Sequence, residues 1–283
     1  MTGDRALWSR RGLFRAAGGA IVAAGGAYGW ATMIEPFWTE ITRHRLSIPD
    51  LPETLQGRSL VQVSDLHIGS TDPDHLMSAI NKVNEFKPDI LVLTGDIIDH
   101  HHAETMPIVR EVLSQLKPSR LATLACLGNH DYGRRWRETD VADRVVGTVE
   151  EMGVRVLRDE PTEVDGLRVF GVEDFWSPSF HPDRVSRLTH ESKTGLCLCH
   201  NPDVCDLAIW NDFTGVILSG HTHGGQCKPP FSEPPRLPVR NRRYVSGFYE
   251  VGPDRTLYIN RGLGYGFKAR FNCRPEITVF ELS

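Results

Sequence analysis

Five times along this chain a short apolar run stops and aspartate, histidine or asparagine follows at once. Val61-Gln62-Val63-Ser64 leads into Asp65-Leu66-His67, and Leu91-Val92-Leu93-Thr94 into Gly95-Asp96-Ile97-Ile98-Asp99. Ala125-Cys126-Leu127 leads into Gly128-Asn129-His130-Asp131. Leu196-Cys197-Leu198-Cys199 leads into His200, and Ile217-Leu218-Ser219 into Gly220-His221-Thr222-His223. Runs of this length read as buried strands, and strands buried on both faces belong to a largely parallel sheet. The carboxyl ends of parallel strands line up along one edge, where ligand sites form. A chain that repeats this pattern five times is therefore committed to collecting Asp, His and Asn side chains in one crevice.

The intervening segments agree. Residues 73–86 read as a helix, with Asp72 as its cap, Pro73 in its first turn, and Leu76, Ile80 and Val83 on one face. Helices are also expected over 103–116, with an early Pro107, over 141–152 and over 203–210. Strands are expected at 60–64, 90–94, 121–127, 154–157, 167–172, 196–199, 216–218, 244–251, 256–260 and 277–282. Early βαβ alternation predicts parallel strands with right-handed crossovers, and the strand-rich second half predicts a second sheet packed on the first. The fold class is a layered α/β sandwich.

Within the crevice, the pairs Asp65/His67 and His221/His223 have i, i+2 spacing, which in extended chain puts both side chains on one side. The glycines before Asp96, Asn129 and His221 let the backbone turn beside the site. Oxygen and imidazole donors without a thiolate suit manganese, iron or zinc. A single histidine after a strand is ordinarily structural; five coordinated clusters are not, because buried charged groups need partners or metals.

In order, Asp-x-His, Gly-Asp-x-x-Asp, Gly-Asn-His-Asp, a lone His and Gly-His-x-His resemble the blocks of the calcineurin-like metallophosphoesterases, intact from residue 65 to residue 223. The stretches 35–46, 224–230 and 272–276 resemble a narrower group, the bacterial exported phosphodiesterases of the YaeI and YkuE type, so the likeness covers nearly the whole chain. The resemblance implies a four-layer α/β/β/α sandwich with an N-terminal signal or anchor helix. It also implies a phosphoesterase, foremost a phosphodiesterase, with two divalent metal ions and a hydroxide bridging them as nucleophile. By position, Asp65, His67, Asp96 and His223 would hold one ion, and Asp96, Asn129, His200 and His221 the other. His130 would act on the leaving oxygen or the transition state, oriented by Asp99.

The N-terminus reads as an address. Ser9-Arg10-Arg11-Gly12-Leu13-Phe14-Arg15 precedes a soft, uncharged run reaching from Ala16 to about Ile34, the mark of a twin-arginine signal. Residues 1–38 are expected to be the signal or membrane segment and 39–283 the catalytic domain. The protein would pass through the twin-arginine translocase to the extracytoplasmic face of the inner membrane, in the periplasm, either free or associated with the membrane. The first fifteen residues hold four arginines against one aspartate, so the body is more acidic than the net charge of -4 suggests. An acidic body argues against a nucleic-acid cradle. Cys126, Cys197 and Cys199 sit in strand-like runs and read as buried small hydrophobes.

Other candidates read as structural first. His100-His101-His102 form a solvated triplet, and Asp131 braces its loop. Arg240, Arg242 and Arg243 read first as a solvated basic stretch and only then as a phosphate grip, and Arg261, Arg270 and Arg274 are read the same way. Trp136 and Trp176 serve packing or a groove wall equally well. The substrate is a phosphate ester, with a lipid-linked one among the options. A lipid-linked pyrophosphatase of the UDP-2,3-diacylglucosamine type and a non-catalytic scaffold stand as alternatives.

Overall fold

The computed structural model describes residues 10–99 and 105–283; the histidine triplet at 100–102 lies outside them. Two six-stranded sheets face each other. The first contains β1 (Glu40–Leu46), β2 (Ser59–Val63), β3 (Ile90–Thr94), β4 (Ala122–Cys126), β5 (Arg155–Val156) and β12 (Glu276–Leu282), in the order β1-β12-β2-β3-β4-β5. β2 to β5 are parallel neighbours, while β12 runs antiparallel to β2 and parallel to β1. The second contains β6 (Glu160–Val164), β7 (Leu167–Val172), β8 (Thr194–Cys199), β9 (Thr214–Ser219), β10 (Gly247–Gly252) and β11 (Arg255–Ile259), in the order β10-β11-β9-β8-β7-β6. β7, β8, β9 and β11 are parallel, and the two outer strands pair antiparallel.

Period-two alternation decides which side chain enters which layer. Leu60, Ile90, Val92 and Leu124 meet Leu196, Leu198, Val216 and Leu218 between the sheets. Their neighbours Val61, Leu91, Leu93 and Ala125 face the other way, onto α2 (Pro73–Phe86), α3 (Thr105–Leu113) and α4 (Thr139–Glu151). Cys197, Cys199 and Ile217 point outward beneath α5 (Pro182–Glu191). Three hydrophobic cores separate four layers, helices outside and sheets inside. Gln62, fully buried, donates to Thr94 Oγ1 and to the Ser219 carbonyl, both at 2.9 Å, and so pins the sheets together just below the crevice.

The N-terminal helix α1 (Arg10–Gly29) leads through one turn of π-helix, Trp30–Ile34, into the body. Among the described residues no helix is long and apolar enough to cross a membrane. Asp72 caps α2 as expected, accepting from the backbone of Asp74 and His75.

Some expectations change. The helix expected over 203–210 is a single 3₁₀ turn, Pro202–Asp206, with Leu207 extended. The Trp210 indole donates to the Val204 carbonyl, and the Asp203 carboxylate accepts from the backbone of Arg240 and Asn241, so both groups are engaged outside a helix. Three elements carried too weak a pattern to expect: β1, β6 and α5. β1 alternates charged residues along a sheet edge, β6 contains Pro161, and α5 buries only Val185, Leu188 and Thr189.

Candidate metal centre

All five motif loops leave the carboxyl ends of β2, β3, β4, β8 and β9 and meet over the gap between the sheets. Backbone bonds stitch them together. Asp65 N–H donates to the Gly95 carbonyl, His67 N–H to the Asp96 carbonyl, and Gly220 N–H to the His200 carbonyl. At Gly95, φ is +84° and any Cβ would press on His200 Nδ1 at 2.6 Å. At Gly220 a Cβ would collide with the side chains of Ser64 and Asp65. Glycine here is a matter of close approach as much as of turning.

The i, i+2 pairs do not lie on extended chain. Asp65, His67, Asp96, His221 and His223 all adopt positive φ, between 46° and 71°. Left-handed backbone at five non-glycine residues in one crevice is strain held by its surroundings, as functional loops commonly show. Local loop curvature, not strand alternation, turns each pair inward.

Two groups of donor atoms that share no residue result, and a third, His67, Asp96 and His130, overlaps both. Asp65, His67 and His223 form one, and Asp96, His200 and His221 the other, with ligand atoms within 4.8 Å of one another in each. Asp96 Oδ2 stands between them, 3.6 Å from His67 Nε2 and 3.2 Å from His200 Nε2. His223 Nε2 is 3.3 Å from Asp65 Oδ1 and 3.0 Å from His67 Nε2. His221 Nδ1 is 3.1 Å from His200 Nε2.

The outward-facing nitrogens set the tautomers. His67 Nδ1 donates to Asp99 Oδ1 at 3.0 Å, His200 Nδ1 to the Thr94 carbonyl at 2.7 Å, and His221 Nε2 to the Pro238 carbonyl at 2.7 Å. In its neutral form each of these rings presents a bare lone pair to the crevice. At His223 the outer nitrogen meets Arg270 Nη2 at 3.4 Å, but that group donates to the carbonyls of Gly264 and Arg261 at 2.6 and 2.9 Å. The amide of Asn129 lies 2.9 Å from His221 Nδ1 and 3.1 Å from the Trp136 indole nitrogen. With its oxygen toward His221, two lone pairs face each other, and a cation between them satisfies both. Converging lone pairs and carboxylates, all buried, are what a divalent cation requires, so the donor set fits metals.

Charge follows the same geometry. Burial works to raise the carboxyls of Asp65 and Asp96, but neighbouring imidazoles overcome it and hold both low. Asp99 is likewise held low against its burial by bonds from His130 and His67. Burial, reinforced by the His200 charge, pushes His221 down to about 3. His130 and His200 shift the other way, and the side chain of His130 is 28% exposed. Its Nδ1 lies 3.0 Å from both Asp99 Oδ1 and the Asp99 carbonyl. Burial alone would lower it; the Asp96 charge and the Asp99 bonds raise it to about 10. Asp131 accepts from the backbone of Ile98 and Gly128, bracing the loop as its position suggests.

The cleft above these groups is a cavity of about 350 Å³. Trp136 and Trp176 line it, stacked with centroids 4.7 Å apart. Gln226, Arg236 and Phe267 also line it; Gln226 follows His223 within the 224–230 stretch, whereas Arg236 and Phe267 do not stand out in the sequence, because the loops that carry them bear no metal-type residues. The other arginines weighed from the sequence are engaged elsewhere. Arg242 donates to the Pro234 carbonyl, Arg243 to the Tyr244 hydroxyl, and Arg240 lies over Phe175. Arg261 and Arg274 pair with Glu40.

Residues 58–225 match the family described as calcineurin-like phosphoesterase. The uncharacterized metallophosphoesterase YkuE of Bacillus subtilis (strain 168) is 33% identical over 96% of this chain and 95% of its own. Phosphodiesterase YaeI of Escherichia coli (strain K12) is 32% identical over 97% of this chain and 99% of its own. The UDP-2,3-diacylglucosamine pyrophosphatase LpxG of Chlamydia trachomatis (serovar D) is 28% identical over 88% of this chain and 91% of its own. With that likeness spanning the fold and the crevice together, the chain belongs to the calcineurin-like phosphoesterase family of metal-dependent phosphoester hydrolases.

Proposed function

We propose that this protein hydrolyses phosphate diesters using two divalent cations, manganese, iron or zinc, held side by side. The observation that carries the reading is Asp96, whose single carboxylate lies within reach of both donor groups. Asp65, His67 and His223 with Asp96 would hold one cation, and Asn129, His200 and His221 with Asp96 the other. When bound, the cations supply Lewis-acid charge stabilisation at the phosphoryl group and activate water.

The chain's own residues do the rest. Asp99 fixes His130 through Nδ1 and leaves Nε2 to carry a proton toward the leaving oxygen. Asp96 and Asp99 keep that proton in place at neutral pH, and divalent charge nearby would draw the group back toward the range a general acid needs. Trp136 and Trp176 wall off water and offer an aromatic face to the organic part of the ester. Those walls and the LpxG relative support a second reading, a lipid-linked pyrophosphate as substrate.

The test is turnover by the full chain, stripped of metal and reloaded with manganese, iron or zinc. A bis-aryl phosphodiester is compared with its monoester and with a lipid-linked pyrophosphate, with His130→Ala as control. Metal-dependent diester turnover lost in His130→Ala is expected. Turnover of the pyrophosphate alone would transfer the assignment to the second reading, and none with any substrate, despite bound metal, would favour a scaffold.

Arg10-Arg11 ahead of the apolar run supports export through the twin-arginine translocase, with residues 1–38 as the signal and 39–283 as the catalytic domain. Arg10→Lys with Arg11→Lys should retain the protein in the cytoplasm; export of that double variant in a fractionation would end this reading.

A further inference from the structure

Exposed large apolar side chains are not scattered over this molecule. Of the thirteen among the described residues, ten belong to one zone: α1, the segment after it, and two loop tips, Phe231 and Phe267. Scattered singly they would need no explanation, but a contiguous patch marks an interaction face. The zone is continuous. The Trp30 and Trp38 rings are 5.8 Å apart, and with Phe231 they line a trench of about 1020 Å³. Buried Glu35 fixes this segment to the body, accepting from the Trp30 indole at 2.7 Å and the Cys273 backbone at 2.6 Å. Arg270 N–H donates to the Ala31 carbonyl at 2.8 Å, and Lys268 lies over the Phe37 ring, so the loop bearing Phe267 is docked on the same segment. Phe267 also lines the metal cleft. The proline-rich strap 228–238 divides the two hollows, with Pro234 facing the trench and Pro235 and Arg236 facing the cleft.

We infer that this rim is a lipid-contacting face, seated in the headgroup layer of an anionic bilayer beside the mouth of the metal cleft. Four features choose a bilayer over a protein. Beyond residue 16, α1 is exposed on every side up to Tyr28, contains no acidic residue, and carries five glycines, so it has neither a polar face nor a reason to be stable alone in water. It is not long and apolar enough to cross a membrane, which leaves shallow seating. The rim is rich in Trp, the residue of membrane interfaces. Lys228, Arg236 and Lys268 lie around it, against one exposed acid, Glu233, on an otherwise acidic body, a complement to anionic headgroups. This inference is independent of which ester is hydrolysed.

Hydrogen exchange on the full chain, with and without phosphatidylglycerol vesicles, tests it. Exchange should slow at residues 30–38, 229–233 and 266–268 and stay unchanged at the β10–β11 turn. Slowing confined to α1 would overturn the inference, as would slowing of the rim that follows protein concentration without vesicles, which would signify a second copy. The triple variant Met33→Ser, Ile34→Ser, Phe231→Ser should need about tenfold more phosphatidylglycerol for half-binding. Its turnover of a soluble diester should match the parent. Parent-like binding by that variant would also overturn it.

Discussion

Among the described residues, two clusters of charged groups are built on opposite plans. At the seam of β12 and β1, Glu276 accepts four hydrogen bonds, from Thr42, from Tyr258, and from the Arg261 backbone and guanidinium, all between 2.7 and 3.0 Å. Glu40 completes the network with Arg261 and Arg274. Every charge there has its counter-charge within the chain. In the metal crevice, ring nitrogens face one another, five residues hold left-handed backbone, and His67, His200 and His221 in their neutral forms turn their hydrogens away from the carboxylates. The first cluster closes on itself; the second is complete only with something the chain does not encode. Burial and charge density alone do not separate a structural cluster from a functional one. The direction of the hydrogens does.

The comparison can be broken most forcefully at Asp96. Asp96→Asn should reduce turnover on the order of 10³-fold or more and loosen both cations, since one neutral oxygen replaces a shared carboxylate. The metal-free variant should fold within about 1 kcal/mol of the parent in chemical denaturation. Retained activity would refute the shared-ligand assignment. His130→Ala should lower kcat by about 10²–10⁴-fold. Metal content by elemental analysis should not change.

Glu276→Gln should act in the reverse sense, costing about 3 kcal/mol of stability while leaving soluble-diester turnover near parental. The size reflects a carboxylate 3% exposed, with Glu40 still present to pair Arg261. Its pH dependence has a definite sign. Burial would raise the Glu276 carboxyl, but the Arg261 charge and the hydrogen bonds outweigh it and hold it below its usual value of 4.5. The stabilisation is therefore fully present above that value and lost as pH falls through the lower folded value. Denaturation midpoints of parent and variant should converge in acid; a gap that widened there would show the sign to be wrong.

Metal addition sharpens the contrast further. At a hundredfold excess over Kd, a bound cation should add about 2.7 kcal/mol. That raises Tm by several degrees in the parent and leaves Asp96→Asn nearly unmoved. Trp136→Ala should have the smallest effect, about 1 kcal/mol, or roughly fivefold in KM. A change in kcat instead would place Trp136 closer to the chemistry than a wall.

Much of this was legible beforehand because buried parallel strands announce themselves as apolar runs, and because metal donors are few in kind. Val61, Leu91 and Ile217 sit where their runs indicated. The edges were harder to read. β1 presents Arg43 and Arg45 with Thr42 and His44, and an edge strand needs no continuous apolar run because one side faces solvent. The 203–210 segment is not the helix expected, because Asp203 takes its hydrogen-bond partners 37 and 38 residues further on, at Arg240 and Asn241. The cleft walls were silent for a related reason: Arg236 and Phe267 reach the site from irregular loops, and no short-range rule aims such loops.

The sequence by itself determined the layer order, the loops that bear Asp65, Asp96, Asn129, His200 and His221, and the family to which they belong. Strand period and donor chemistry are local properties and survive without coordinates. Tertiary structure decided the rest: that Asp96 lies between two donor groups, that Asp99 serves His67 and His130 together, and that Pro238 fixes the His221 tautomer. It also decided that an apolar rim runs from α1 to the cleft. These are relations among residues up to 240 positions apart, and they depend on packing and hydrogen direction, which no window along the chain contains.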